Sequence, residues 1–486
     1  MLADLNQNSA LMTDASRATH ILVMLPKWKV LPEKTAFVGR ETLLPLMARR
    51  KMKADELIAS PVSATLKTGA LCAWVMVDTT LPAFEQHTHV RKAVQLLLED
   101  TLTEIHIAAY GDNQEKRAAA TLGVYAAWIN GAVLPTKKMD KKKPARKPLV
   151  KIVLQGHNEP DGFASLRAIA EGNCLTRELT TLPPNELNPA AYRALIKKLA
   201  AKEGWKYQEY DMKTLAKMGA GAFVAVAQGS DPADAAIVHL QRRVKGAGKT
   251  AALVGKGICF DTGGHNLKPA RHMHGMHEDM NGSAVALGIL LAATRAKLSL
   301  NIDCWLAIAQ NHISPLAYKQ NDIVTALNGT TIEIIHTDAE GRMVLADTLT
   351  LAAREKPELL LDFATLTGSM HSALGNRYSG IFSNRESLLD QAIKAGKQSG
   401  ERVSAFPMDA DYEADLDSKV ADIKQCSLDA QGDHILAARF LSKFIDNAPW
   451  LHMDLSASSN KGGLGIAGTD VTGFGVAWGV EMLRGM

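Results

Sequence analysis

Apolar residues along this chain follow two rhythms, short unbroken runs and longer stretches in which they return every three or four positions, and the two alternate. In the first third, HILVML (His20–Leu25), CAWVMVD (Cys72–Asp78), EIHIAAY (Glu104–Tyr110) and KIVLQG (Lys151–Gly156) predict strands. Phe84–Asp100 and Glu115–Gly131, between some of them, carry helical spacing. This order predicts a small N-terminal α/β domain over residues 1–165 with a largely parallel sheet and no catalytic constellation. A helix over about 163–182, stopped by Pro183 and Pro184 and restarted near Pro189, predicts a connector into a second domain over 166–486.

The later elements are longer and better punctuated. TAALVGKGICF (Thr250–Phe260), NIDCWLAIAQ (Asn301–Gln310) and ELLLDFATL (Glu358–Leu366) predict buried strands, and Gly282–Lys297 and Arg342–Glu355 predict helices. Asp322–His336 predicts a hairpin that turns at Asn328 and Gly329, where positive φ is inexpensive. The expected fold class is therefore α/β, the small domain followed by a larger C-terminal α/β/α domain with a mixed central sheet. In such sheets the residues that act sit where strands end and helices begin.

Composition narrows the class. Hydrophobic residues make up 47% of the 486, which supplies ample core and excludes a disordered or fibrous chain. The N-terminus has no apolar signal region, and the longest apolar stretch, around SAVALGILLAAT, is too short to span a bilayer. A soluble cytoplasmic protein without membrane contact is the expectation. Five scattered cysteines, Cys72, Cys174, Cys259, Cys304 and Cys426, never in CxxC spacing, predict buried reduced thiols. The net charge of +4 owes much to residues 137–147, KKMDKKKPARK, with seven bases against one acid. A solvated linker is the plain reading of that run; a surface for nucleic acid or another polyanion is the alternative.

Two motifs mislead. GAGKT (Gly246–Thr250) lacks the first glycine of a P-loop, since Arg243 stands there, and it runs into a strand where a P-loop opens a helix. GLGIAG (Gly463–Gly468) matches GxGxxG but follows no convincing strand, so a flexible loop is expected.

Charge placed in apolar surroundings marks the candidate chemistry. IIHTDAEGRMVLAD sets Asp338, Glu340 and Arg342 between apolar flanks, and VGKGICFDTGGHNLKPARHMHGMHEDMNGSA sets Lys256, Asp261, Lys268 and Asp279 from the end of a buried strand to the start of a helix. Four carboxylates close together need a cation to compensate them, and two divalent ions bridged by shared acids would do so. Lys256, desolvated beside a dication, would lose its proton and offer a neutral amine. Lys268 and Arg342 remain as cations for a developing negative charge or a held anion.

GKGICFDTGGHNLKP together with HTDAEGRMVLADTL resembles the leucyl aminopeptidase family of dinuclear zinc exopeptidases, also called cytosol aminopeptidases, over roughly residues 170–486. The resemblance implies a metal-dependent aminopeptidase acting on peptides. Lys256, Asp261, Asp279 and Glu340 would hold one ion and Asp261, Asp338 and Glu340 the other, with zinc or manganese as the metals. It further implies Lys268 as oxyanion donor, Arg342 as holder of a bicarbonate that acts as general base, and Met276, Thr365 and Gly368 as pocket for an apolar, leucine-like first residue. A homo-hexamer is implied as well. His336 stands where the family usually has asparagine, on the leaving side of the peptide, Thr262 where serine is usual and Asn281 where glycine is usual. His272, His274 and His277 lie nearby and are expected to line the pocket or the surface, the metals being satisfied without them.

Overall fold

The computed structural model describes residues 2–33, 35–98, 102–138, 146–231, 234–429 and 431–486. Two compact units result. One is the chain up to Cys174 joined by Lys397–Gly400 and Asn460–Thr472; the other is Leu175–Gly396, Glu401–Ser459 and Gly473–Met486. The division falls within a helix, Ala164–Thr181.

The first unit is built on six strands: β1 (Asp4–Asn8), β2 (His20–Pro26), β3 (Val62–Thr65), β4 (Leu71–Val77), β5 (Glu104–Ala109) and β6 (Lys151–Gln155). Their spatial order is β1-β6-β5-β2-β4-β3, and every pair is parallel except β3 with β4. β2 is buried along its whole length, as a parallel strand covered on both faces must be. The helix Asn113–Gly131 opens on a capping box in which the Asp112 side chain accepts from the Glu115 N–H and Glu115 answers to the Asp112 N–H. The GLGIAG segment belongs to this unit. It is a loop, as expected, but it is pinned: Arg91 Nη1 donates to the Ala467 carbonyl at 2.8 Å, and Asn130 holds Ile466 and Gly468 at 2.9 and 2.7 Å. Of the basic run, Lys137, Lys138, Arg146 and Lys147 are exposed, and residues 139–145 lie outside the described residues.

The second unit carries β7 (Lys206–Asp211), β8 (Ala236–Arg242), β9 (Thr250–Asp261), β10 (Asn301–Asn311), β11 (Ile323–Thr325), β12 (Thr331–Glu333), β13 (Leu359–Ala364), β14 (Ser379–Ser383), β15 (Val403–Ala405), β16 (Ile423–Lys424) and β17 (Trp450–Asp454). Eight of them form one mixed sheet in the order β15-β14-β17-β13-β9-β10-β8-β7. Its centre, β17-β13-β9-β10, is parallel, and β14, β8 and β7 pair antiparallel to their inner neighbours. β11 and β12 form the hairpin around Asn328 and Gly329, with β16 alongside. GAGKT is the turn before β9.

Alternation along β9 decides which helix covers which face. Ala252, Val254 and Ile258 share a core with Met343, Val344 and Ala346 of the helix Glu340–Arg354. Gly255 and Gly257 point the other way, where an added Cβ would lie within about 3 Å of Ser283 in the helix Asn281–Arg295. A helix on each face of the sheet makes the α/β/α layering. All five cysteines are buried, and among the described residues none is joined in a disulfide. Among the described residues no helix is long and apolar enough to cross a membrane.

Candidate metal centre

The central strands β9, β10, β13 and β17 end at Asp261, Asn311, Ala364 and Asp454, and the helix Glu340–Arg354 begins at Glu340. The charged residues picked out in the sequence gather at this strand-end edge, where ligands bind in open α/β sheets. Lys256 lies inside β9, five residues before its end, and is only 3% exposed. It faces Gly341, where a Cβ would come within 2.7 Å of its Cε, so the helix can approach only because that position has no side chain.

The loop after β9 is stitched to the acidic segment. Gly263 turns with φ +84. Its carbonyl accepts from Thr337 Oγ1 at 2.6 Å, and Asn266 and Thr337 exchange hydrogen bonds at 2.8 Å in both directions. Asn311 Nδ2 donates to Asp261 Oδ1 at 2.9 Å and to the Thr337 carbonyl at 3.0 Å, and Tyr318 donates to the same carbonyl. These contacts bring together segments more than seventy residues apart. Asn266, Asn311, Thr337 and Tyr318 did not stand out in the sequence, because a neutral polar residue at a strand end or in a turn is ordinary. Asp454 does similar work for the loop after β13, accepting from the Leu366 N–H at 3.0 Å and from Thr367 Oγ1 at 2.6 Å.

Two lysines separate four acids. Lys256 Nζ lies 2.8 Å from Asp279 Oδ1, 2.9 Å from Glu340 Oε1 and 3.0 Å from the Thr365 carbonyl. Lys268 Nζ lies 2.9 Å from Asp261 Oδ2 and pairs with Asp338. Asp261, Asp338 and Glu340 each present a carboxylate oxygen within 4.8 Å of the others. Thr365 Oγ1 donates to Asp279 Oδ1 at 2.8 Å, while the second oxygen, Asp279 Oδ2, is buried and has no hydrogen-bond partner among the described residues.

Burial raises the acids: Asp279 is pushed up to about 8 with Lys256 opposing, Asp338 to about 7 with Glu340 and Asp261 adding to the rise, and Glu340 also goes up. Burial works against the charge of Lys256, but Asp279, Glu340 and Asp261 outweigh it and hold the amine protonated; the acids around Lys268 do the same. A dication in that nest of carboxylates would reverse the balance on Lys256. Crowded carboxylates, a buried orphan oxygen and a lysine nitrogen are a donor set that suits a divalent cation. No histidine joins the group of three ligand-bearing residues among those described. His274 is exposed, His277 half-buried, and His272 exposed on the cavity wall.

A cavity of about 810 Å³ opens over this cluster, and Met276, Thr365, Gly368 and His336 all line it. His336 is half-buried, its ring accepts from the Asp338 N–H at 3.2 Å, and burial followed by the nearby Lys268 charge lowers its pKa. Arg342 also lines the cavity but is not a spare cation, since Nη2 donates to Asp433 Oδ1 at 2.8 Å and Nη1 to the Gln425 carbonyl at 3.1 Å. Neither Asp433 nor Gln425 was singled out in the sequence.

Fold and site together define a class: the description "Cytosol aminopeptidase family, catalytic domain" matches residues 174–479, and the chain belongs to that family. Its relatives include a probable cytosol aminopeptidase of Afipia carboxidovorans, 40% identical over 318 residues, which is 65% of this chain and 62% of that protein. Another from Stutzerimonas stutzeri is 44% identical, covering 60% of this chain and 59% of the relative, and one from Wolbachia pipientis is 37% identical, covering 74% and 75%. The chain thus spans about three-fifths of the length of the first two relatives. A solved structure, the bottromycin maturation enzyme BotP in complex with Mn, superposes with a TM-score of 0.81 at 30% identity, covering 96% of this chain and 99% of that one.

Proposed function

We propose that this protein is a metal-dependent aminopeptidase that removes N-terminal residues from peptides by two-metal hydrolysis. One observation carries the reading: four carboxylates and two lysines from separate segments meet at one cavity, with Asp279 Oδ2 buried and without a hydrogen-bond partner among the described residues. Asp261, Asp338 and Glu340 would hold one ion, and Lys256, Asp261, Asp279 and Glu340 the other, with zinc or manganese as the metals. When bound, such ions supply a hydroxide near neutral pH and polarise the scissile carbonyl.

The chain's own residues do the rest. Lys268, kept protonated by the acids around it, donates to the carbonyl oxygen as negative charge develops there. Met276 and Leu455 give the cavity apolar surface for a leucine-like first side chain, with Thr365 and Gly368 beside it. The His336 imidazole borders the leaving side of the peptide. A cytoplasmic homo-hexamer, on the family resemblance, belongs to the same proposal.

The test is a panel of aminoacyl amides and dipeptides offered to zinc- and manganese-loaded protein, with N-acetylated controls. Free N-termini should be cleaved and blocked ones should not. Cleavage of the acetylated peptides would contradict the reading.

A further inference from the structure

The guanidinium of Arg342 is 2% exposed, and both of its terminal nitrogens are committed. The Gln425 carbonyl brings no charge, so Asp433 is the partner that balances it. Burial works against the charge on Arg342, and Asp433 together with Cys426 and Glu340 outweighs that cost. Asp433 opens the helix Asp433–Leu441, which the chain enters through Gly432 at φ +67. Its side chain is 23% exposed and lines the same cavity as Asp261, Asp338, Glu340 and Lys268. Oδ1 is fixed by Arg342, whereas Oδ2 makes no hydrogen bond among the described residues. One oxygen of the carboxylate is therefore clamped, and the other is left open in the cavity that the acids proposed to hold the metals also line.

We propose that Asp433 is a built-in proton acceptor of the hydrolysis and that it occupies the face of Arg342 where a soluble anion such as bicarbonate would otherwise sit. The inference rests on the aminopeptidase reading. A carboxylate carried by the chain needs no capture from solution, and its orientation is set in advance by the guanidinium. A second anion would meet an arginine whose terminal nitrogens are taken and a like charge beside it. In the addition step, a lone pair of the water oxygen forms the bond to the carbonyl carbon, the C=O π pair moves to the carbonyl oxygen, and the water proton passes to Asp433 Oδ2. In the collapse the pair returns from that oxygen and the C–N bond breaks with its electrons on nitrogen. The nitrogen then takes the proton from Asp433. Water is the only reagent consumed.

Calorimetric titration of bicarbonate into metal-loaded protein tests the anion claim without turnover. Wild type should show no binding. Asp433→Ala should bind saturably, and adding Arg342→Met to that variant should abolish the binding. In CO₂-free buffer, wild-type turnover should be unchanged by added bicarbonate, while Asp433→Ala and Asp433→Asn should fall about 10²-fold or more. Bicarbonate or formate should restore part of the turnover of Asp433→Ala but not of Asp433→Asn, whose amide still fills the space. Bicarbonate binding to or stimulating wild type, or near-normal turnover of Asp433→Ala without bicarbonate, would overturn the proposal. Should Asp433→Ala fail to fold, Asp433→Asn, which retains the contact, decides the turnover arm and wild-type titration the anion arm. A wild type that cleaves no peptide fails the aminopeptidase reading instead, and the titration still decides whether Asp433 excludes the anion.

Discussion

The side-chain amide of Asn311 donates two hydrogen bonds, to Asp261 Oδ1 and the Thr337 carbonyl, and so fixes that acid to the segment bearing Asp338 and Glu340. Residues that orient ligands commonly govern affinity by about 10- to 100-fold. Asn311→Ala should therefore weaken manganese binding by that factor, measured by titration, while circular dichroism stays unchanged; unaltered affinity would count against this role. Lys256, Asp261, Asp279, Asp338 and Glu340 were legible because charge inside apolar runs is costly and demands a reason. Asn311 and Thr337 were not, since neither carries charge. Asp433 was hidden for another reason: its partner Arg342 is 91 positions away, and an acid after a glycine at a helix start is unremarkable on its own.

At the scale of elements, the helix Glu340–Arg354 does two jobs, presenting Glu340 and closing over Lys256. Alanine normally stabilises a helix by about 1 kcal/mol over glycine. Gly341→Ala should do the reverse here, because its Cβ would lie 2.7 Å from Lys256 Cε and 2.9 Å from Leu366 Cδ1. Activity should drop at least about tenfold with helix content retained, the displaced lysine no longer meeting Asp279. The same helix is anchored by Asp347, fully buried, which accepts from the Phe223 and Leu327 N–H groups at 2.8 and 2.7 Å. Burial lifts this carboxyl to about 6 against those hydrogen bonds. Its folded value lies above the unfolded one, so its contribution to stability is full below the ordinary carboxylate range and is lost as pH rises through about 6. The loss is about 3 kcal/mol at 1.4 kcal/mol per unit. Between pH 4.5 and 7.5, wild type should lose stability relative to Asp347→Asn in denaturant titrations; a constant difference would contradict this. β9, β10 and β13 were readable as continuous apolar runs. β1 and β7, mostly polar and with no fully buried position, and the helix Arg40–Arg50, which contains Pro45, gave no such contrast.

For the whole molecule, pattern conveyed an α/β chain with a smaller unit followed by a larger one, because that depends on local periodicity; the spatial order of the strands, such as β17 between β14 and β13, depends on long-range pairing that periodicity does not carry. It did not convey that residues 397–400 and 460–472 return to the first unit, since nothing local marks a long-range contact. The same holds for the centre itself: the acids were legible one by one, and their convergence was an expectation that depended on resemblance. Crystals grown with manganese and measured at its absorption edge would test that convergence directly. Two anomalous peaks are expected, both within ligand distance of Asp261 and Glu340, one also reached by Asp338 and the other by Asp279 and Lys256. Manganese bound elsewhere, or a single ion with Asp279 and Lys256 still joined as an ion pair, would contradict it.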